Sequence, residues 1–310
     1  MNHASPTEAE EQERLWREFV ASLSDGPERS FEEQWAAYET IFAGRDAGDG
    51  PAPAWTPDGP TIAQSNLGRM IGELGLDDYD AFYQWSIENR GEFWAKTIER
   101  LGIVFSRKPD ATLDLAGGVT NPRWLPGAQL NCVDSCFDGD PDSVAIIAGR
   151  EGSDALETIS LGELEKLVNR VANGLRECGF KSGDGIALYM PMTPECVAAY
   201  LGVVKAGCNV ISIADSFEAA EGKKRLEIGR AAGVVTVDGF ARGGKAIPLY
   251  PKVVEAEAPR TIVIRGLPDA APELREGDLV WEDFLSEKDV FESVAAEPEA
   301  LVNTLFSSGT

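Results

Sequence analysis

A parallel α/β sheet covered on both faces, preceded by a helical region, is the fold this sequence predicts. Three observations lead there. From about residue 143, short β-branched runs alternate with amphipathic helical stretches. Before that point, apolar and aromatic residues recur at helical spacing. Finally, 310 residues with 43% hydrophobic content can bury a sizeable core and allow about two domains.

The first region is read from its periodicity. Leu15, Phe19 and Leu23 share one helical face, and Trp35, Tyr38 and Phe42 share another. Residues 44–60, rich in Gly, Pro and Ala, form a loop. Helices resume through Leu67, Met70, Ile71 and Leu74, then through Phe82, Trp85, Phe93, Trp94 and Ile98. Aromatic stripes at this spacing fill cores rather than stack on cofactors. A second irregular stretch, 116–127, closes the region.

The second region alternates. Val144, Ala145, Ile146, Ile147 and Ala148 form a strand. Ser160 and Glu163 then make a capping box that opens a helix carrying Leu164, Leu167, Val168, Val171 and Leu175, ending near Gly179. Residues 185–190 are the next strand. Thr193-Pro194-Glu195 caps the following helix, with Pro at its first position, and Gly207 ends it. Strand 209–213, helix 217–232, strand 234–237, short helix 249–256 and strand 261–264 follow. The run 300–306 reads as a buried strand feeding the final Ser307, Ser308, Gly309 and Thr310.

Charge and composition exclude several classes. The net charge of −24, from 52 acidic and 28 basic residues, repels nucleic acid. A nucleotide site must therefore be built from local cations and N–H groups. Five cysteines without a CxxC, and a single histidine at His3, leave zinc without its usual ligands and a histidine-dependent hydrolase without its base. Free, mostly buried thiols in a reducing compartment are expected. No apolar run is long enough to span a bilayer and the acidic start is not a leader, so an intracellular soluble protein is expected, in peroxisome or cytoplasm.

Chemistry can sit beyond the carboxyl ends of parallel strands. After strand 209–213 come Ala214, Asp215 and Ser216; Asp215 or Ser216 reads either as a helix cap or as part of a site. After strand 234–237, Arg242-Gly243-Gly244-Lys245 places two cations around a Gly-Gly turn. Arg offers a bidentate fork, Lys a point charge, and Gly-Gly lets backbone N–H groups face an anion. The alternative is a solvated basic turn that balances nearby acids. Ser307, Ser308, Gly309 and Thr310 suit either the opening of a phosphate loop or an ordinary turn.

These segments carry a resemblance. Tyr79-Asp80-Ala81-Phe82-Tyr83-Gln84-Trp85-Ser86, Trp124-Leu125-Pro126-Gly127-Ala128-Gln129-Leu130-Asn131, Met190-Pro191-Met192-Thr193-Pro194-Glu195, Arg242-Gly243-Gly244-Lys245 and Phe306 to Thr310 are similar, in order and wording, to the N-terminal part of acetyl-CoA synthetase and its adenylate-forming relatives. Asn66-Leu67-Gly68-Arg69-Met70, Ser212-Ile213-Ala214-Asp215-Ser216-Phe217 and Lys245-Ala246-Ile247-Pro248-Leu249-Tyr250 further resemble the plant peroxisomal acyl-activating enzymes.

The resemblance implies a helical extension over 1–60, an acetyl-CoA synthetase-type N-terminal region over 61–135, and the first, truncated part of an AMP-binding domain over 136–310. It implies a carboxylate–CoA ligase: a carboxylate attacks the α-phosphate of ATP, pyrophosphate leaves, and the CoA thiol then displaces AMP from the acyl-adenylate. Its partners are a carboxylic acid, ATP with Mg2+, and coenzyme A. Arg242, Gly243, Gly244 and Lys245 would hold the 3′-phosphate end of CoA. Ser307, Ser308, Gly309 and Thr310 would begin the ATP phosphate loop. No catalytic or metal-binding residue falls within 1–310, so these residues alone are expected to be inactive. The rival expectation is a non-catalytic CoA-phosphate or protein-binding product.

Overall fold

A computed structural model of the protein describes residues 7–267 and 273–307. Ser308, Gly309, Thr310 and His3 lie outside the described residues. The chain divides into two compact units, Met1–Glu88 and Asn89–Thr310.

The first unit is helical: α1 (Glu8–Asp25), α2 (Phe31–Ile41), α3 (Gly59–Gln64), α4 (Asn66–Leu74) and α5 (Tyr79–Glu88). Capping boxes, Thr7 with Glu10 and Ser30 with Glu33, start α1 and α2. The buried anchor of α1 is Trp16, not Leu15, which is exposed. Trp16 meets Phe19, Tyr38 and Phe42, and its indole N–H donates to the Ala54 carbonyl in the following loop at 2.6 Å. That partner lets the largest side chain go inside, which spacing alone does not reveal.

The second unit begins with α6 (Arg90–Arg100) and a short antiparallel pair, β1 (Leu113–Asp114) with β2 (Arg123–Trp124). Next, β3 (Val144–Gly149) and β4 (Leu156–Ser160) form an antiparallel hairpin. The strand expected at 144–148 therefore stands apart from the main sheet. Val144 and Ile147 remain exposed because one side of a two-stranded ribbon is left uncovered.

Then come α7 (Leu161–Glu177), β5 (Gly185–Tyr189), α8 (Pro194–Lys205), β6 (Asn209–Ile213), α9 (Ala219–Gly229) and β7 (Ala231–Val237). A second hairpin follows, β8 (Gly239–Arg242) with β9 (Lys245–Pro248). The remaining elements are α10 (Tyr250–Glu255), β10 (Thr261–Ile264), β11 (Leu279–Val280), α11 (Trp281–Phe284) and β12 (Asn303–Thr304).

Six strands make one all-parallel sheet in the order β11-β10-β7-β5-β6-β12. The central strand β5 is buried throughout, as a continuous apolar run requires. From β5 the chain steps to β6, then returns to β7 on the other side of β5. Right-handed crossovers consequently put α7 and α8 on one face and α9 and α10 on the other. The Ser160/Glu163 capping box and the Thr193 cap with Pro194 at the first helical position both form as expected.

Two expectations are corrected. The helix read over 217–232 is shorter: Arg230 takes a left-handed conformation and ends it, and Ala231 already belongs to β7. The run 300–306 is not a buried strand. Only Asn303 and Thr304 pair, with β6, and Leu301, Val302 and Leu305 are exposed. β12 is an edge strand that meets no further strand among the described residues, so its other side has nothing to bury against.

The thiols divide rather than being mostly buried: Cys196 and Cys208 are buried, Cys178 is half-buried, and Cys132 and Cys136 are exposed. Burial pushes the Cys196 and Cys208 thiols up to about 11. With iodoacetamide at pH 8, peptide mapping is expected to find label on Cys132 and Cys136 first, and none on Cys196 or Cys208 until denaturant is added. Early label on Cys196 or Cys208 would contradict this packing.

Candidate functional site

β5, β6, β7 and β12 run parallel, so their carboxyl ends share one edge of the sheet. The reversal of chain direction falls beside β5, between β6 and β7. A crevice at such a reversal is where open α/β sheets take ligands. Arg242-Gly243-Gly244-Lys245 emerges at this edge after β7, and Ser307 follows β12 there.

The segment after β7 is not the simple loop that sequence reading suggests. Asp238 turns the chain, and β8 and β9 form a hairpin in which Arg242 pairs with Lys245 and Gly243-Gly244 make the two-residue turn. Both turn residues have positive φ, +59° and +71°, the left-handed pair that a type I′ turn needs and glycine adopts without strain. Asp238 anchors the base. Its buried Oδ1 accepts N–H groups from Gly239 at 2.6 Å, Gly266 at 2.7 Å and Leu267 at 3.1 Å, and its carbonyl accepts from Leu249 and Tyr250.

At the tip, Arg242 donates to both oxygens of Asp215, from Nη2 to Oδ2 at 2.6 Å and from Nη1 to Oδ1 at 3.2 Å. Its guanidinium also lies 4.8 Å over the Phe240 ring. Asp215, and more weakly Glu151, hold the Arg242 guanidinium even more firmly protonated than usual. Asp215 is therefore not the helix cap: α9 begins at Ala219, with Glu218 at the cap position. The structure joins the two strand ends singled out in the sequence through one bidentate ion pair.

The backbone N–H groups of Gly243 and Gly244 converge on a second carboxylate. Glu151, in the turn between β3 and β4, accepts from Gly243 at 3.0 Å through Oε2 and from Gly244 at 2.6 Å through Oε1. Lys245 has no carboxylate within ion-pairing distance among the described residues. At the tip, the Arg242 guanidinium and the two glycine N–H groups are thus each engaged by a carboxylate of the same chain, and Lys245 adds a second cation beside them. Glu151 was missed in the sequence because its partner lies 92 residues away and no local motif marks it.

On the β12 side, Ser307 is exposed and follows Phe306. Arg225 of α9 lies 3.7 Å over the Phe217 ring and 5.4 Å from the Phe306 ring, and bonds to Glu221. One guanidinium therefore touches the exit of β6 and the approach to Ser307. Among the described residues no group of three His, Cys, Asp or Glu is placed to hold a metal ion.

Two of the resembling motifs prove to be supports. Asn131 is buried, and its Nδ2 donates to the Val204, Lys205 and Val294 carbonyls at 3.0, 3.3 and 2.9 Å, closing the end of α8. Thr193 caps the start of the same helix through the Cys196 N–H.

Comparison with known proteins gives the family and the fold. Residues 134–310 match the family model for the AMP-binding enzyme, and residues 79–136 match that for the acetyl-coenzyme A synthetase N-terminus. "Probable acyl-activating enzyme 17, peroxisomal" of Arabidopsis thaliana is 38% identical over 83% of this chain and 39% of its own length. "Hexanoyl-CoA synthase" of Cannabis sativa is 35% identical over 89% of this chain and 42% of its own. The solved acetoacetyl-CoA synthetase from Streptomyces lividans superposes with a TM-score of 0.75 at 27% identity, over 84% of this chain and 42% of that one. The chain thus spans about two fifths of the length of these relatives. It belongs to the AMP-binding enzyme family.

Proposed function

We propose that the complete protein is an AMP-forming acid–thiol ligase, which activates a carboxylic acid with ATP and passes the acyl group to coenzyme A. The observation that carries this reading is the hairpin tip at the sheet edge. Arg242, the Gly243 and Gly244 N–H groups and Lys245 form a receptor for a compact dianion, and the CoA 3′-phosphate is one. That each donor pair already holds a carboxylate supports the fit, since a phosphate offers the same oxygens with more charge. ATP with Mg2+ would enter at the β12 end through Ser307, Ser308, Gly309 and Thr310. The metal would come with the nucleotide.

In this reading 1–60 is an extension, 61–135 the acetyl-CoA synthetase-type region and 136–310 the first part of the AMP-binding domain. Residues 1–310 alone form no thioester. Among the described residues no helix is long and apolar enough to cross a membrane. The peroxisomal names of relatives favour peroxisome over cytoplasm as the working compartment.

Arg242→Ala in the complete protein tests the assignment. Loss of a charged hydrogen-bonding partner at a partly exposed site is expected to raise the KM for CoA by roughly tenfold. Carboxylate-dependent ATP–pyrophosphate exchange should stay nearly intact, because CoA enters only after the adenylate has formed. An equal loss of exchange and of thioester formation would sink the CoA assignment.

A further inference from the structure

We propose that Glu151 sets the affinity for CoA by competing, from within the chain, for the Gly243–Gly244 turn. The proposal rests on the reading above that this turn takes the CoA 3′-phosphate.

The geometry distinguishes Glu151 from Asp215. A guanidinium carries five N–H donors, and Arg242 gives two of them to Asp215, so it can keep that carboxylate and still bind a phosphate. A backbone amide carries a single N–H. Gly243 and Gly244 each spend theirs on a different oxygen of Glu151, the two-point arrangement a phosphate would require. Carboxylate and phosphate therefore exclude one another at the turn, by donor count and by charge.

Burial points the same way. Only 11% of the Asp215 side chain is exposed, so leaving Arg242 would strand it. Glu151 belongs to an exposed turn and returns to water at little cost. Glu151 is thus a displaceable anion, and a phosphate-bearing ligand must exchange for it. A ligand without that phosphate leaves it in place.

Calorimetric titration of the complete protein with CoA and with dephospho-CoA, which lacks the 3′-phosphate, tests this. Glu151→Gln and Glu151→Ala are each expected to lower the Kd for CoA roughly two- to fivefold, the range of an exposed ionic contact, and to leave the Kd for dephospho-CoA unchanged. If neither variant tightens CoA while Arg242→Ala still weakens it, the competition is refuted and the phosphate site stands. If Arg242→Ala also leaves CoA binding unchanged, the turn is not the phosphate site and both readings fall.

Discussion

Asp238→Ala is expected to cost about 3–5 kcal/mol of stability, the largest effect of any single change near the candidate site. One buried carboxylate oxygen gathers the N–H groups of Gly239, Gly266 and Leu267, and alanine would leave all three without that acceptor. The side chain stands where β7 ends, so the lost contacts also tie the β8–β9 hairpin to the segment after β10. Asp238→Asn keeps an acceptor oxygen in place and should lose less, because its amide takes the position of Oδ2, which accepts no hydrogen bond. Urea denaturation gives the cost directly, and a midpoint shift equivalent to less than about 0.5 kcal/mol for the alanine variant would refute this role. On the CoA reading proposed above, the KM for CoA should rise with it, since Arg242 rides on the hairpin that Asp238 anchors.

Gly202→Ala is expected to destabilise the protein by about 3 kcal/mol, although alanine is the better helix former by about 1 kcal/mol. Gly202 lies in α8 where that helix crosses α7. A Cβ there would sit 2.5 Å from Val171 Cγ1, 2.6 Å from Val171 Cβ and 3.1 Å from the Val168 carbonyl oxygen. Val171 is fully buried, a β-branched side chain in a helix strongly prefers one rotamer, and no rotamer change moves its Cβ away. The two helices would have to separate, opening the core beneath. A thermal melt in which the variant gained stability, following helix propensity alone, would show the contact to be softer than this packing implies.

The central sheet was legible because its strands are buried on both faces. The runs at 185–190, 209–213, 234–237 and 261–264 have no polar alternation to obscure them. Helix starts were legible where the cap is local, as with Ser160 and Glu163. The two hairpins were not, since β3 resembles any apolar strand and Arg242-Gly243-Gly244-Lys245 stood out by charge rather than pairing. The site was half legible. Its cations and glycines announce themselves, whereas the acids that engage them come from elsewhere: Asp215 from the end of β6, 27 residues earlier, and Glu151 from the other hairpin. Asp215 reads equally as a helix cap or as a site residue because caps and ion-pair partners draw on the same residue types.

The strand order also fixes an order of assembly during synthesis. The ribosome makes the middle of the sheet first: β5 appears, β6 and β7 dock on its two sides soon after, and β10 and β11 extend it outward. One flank has to wait. Among the described residues the outer side of β6 is covered only by β12, and Ser212 meets Asn303 across a sequence separation of 91. Throughout that interval the nascent protein carries an unprotected row of amides and carbonyls beside an otherwise finished sheet, and this is the stretch where a chaperone or a sister chain could seize it.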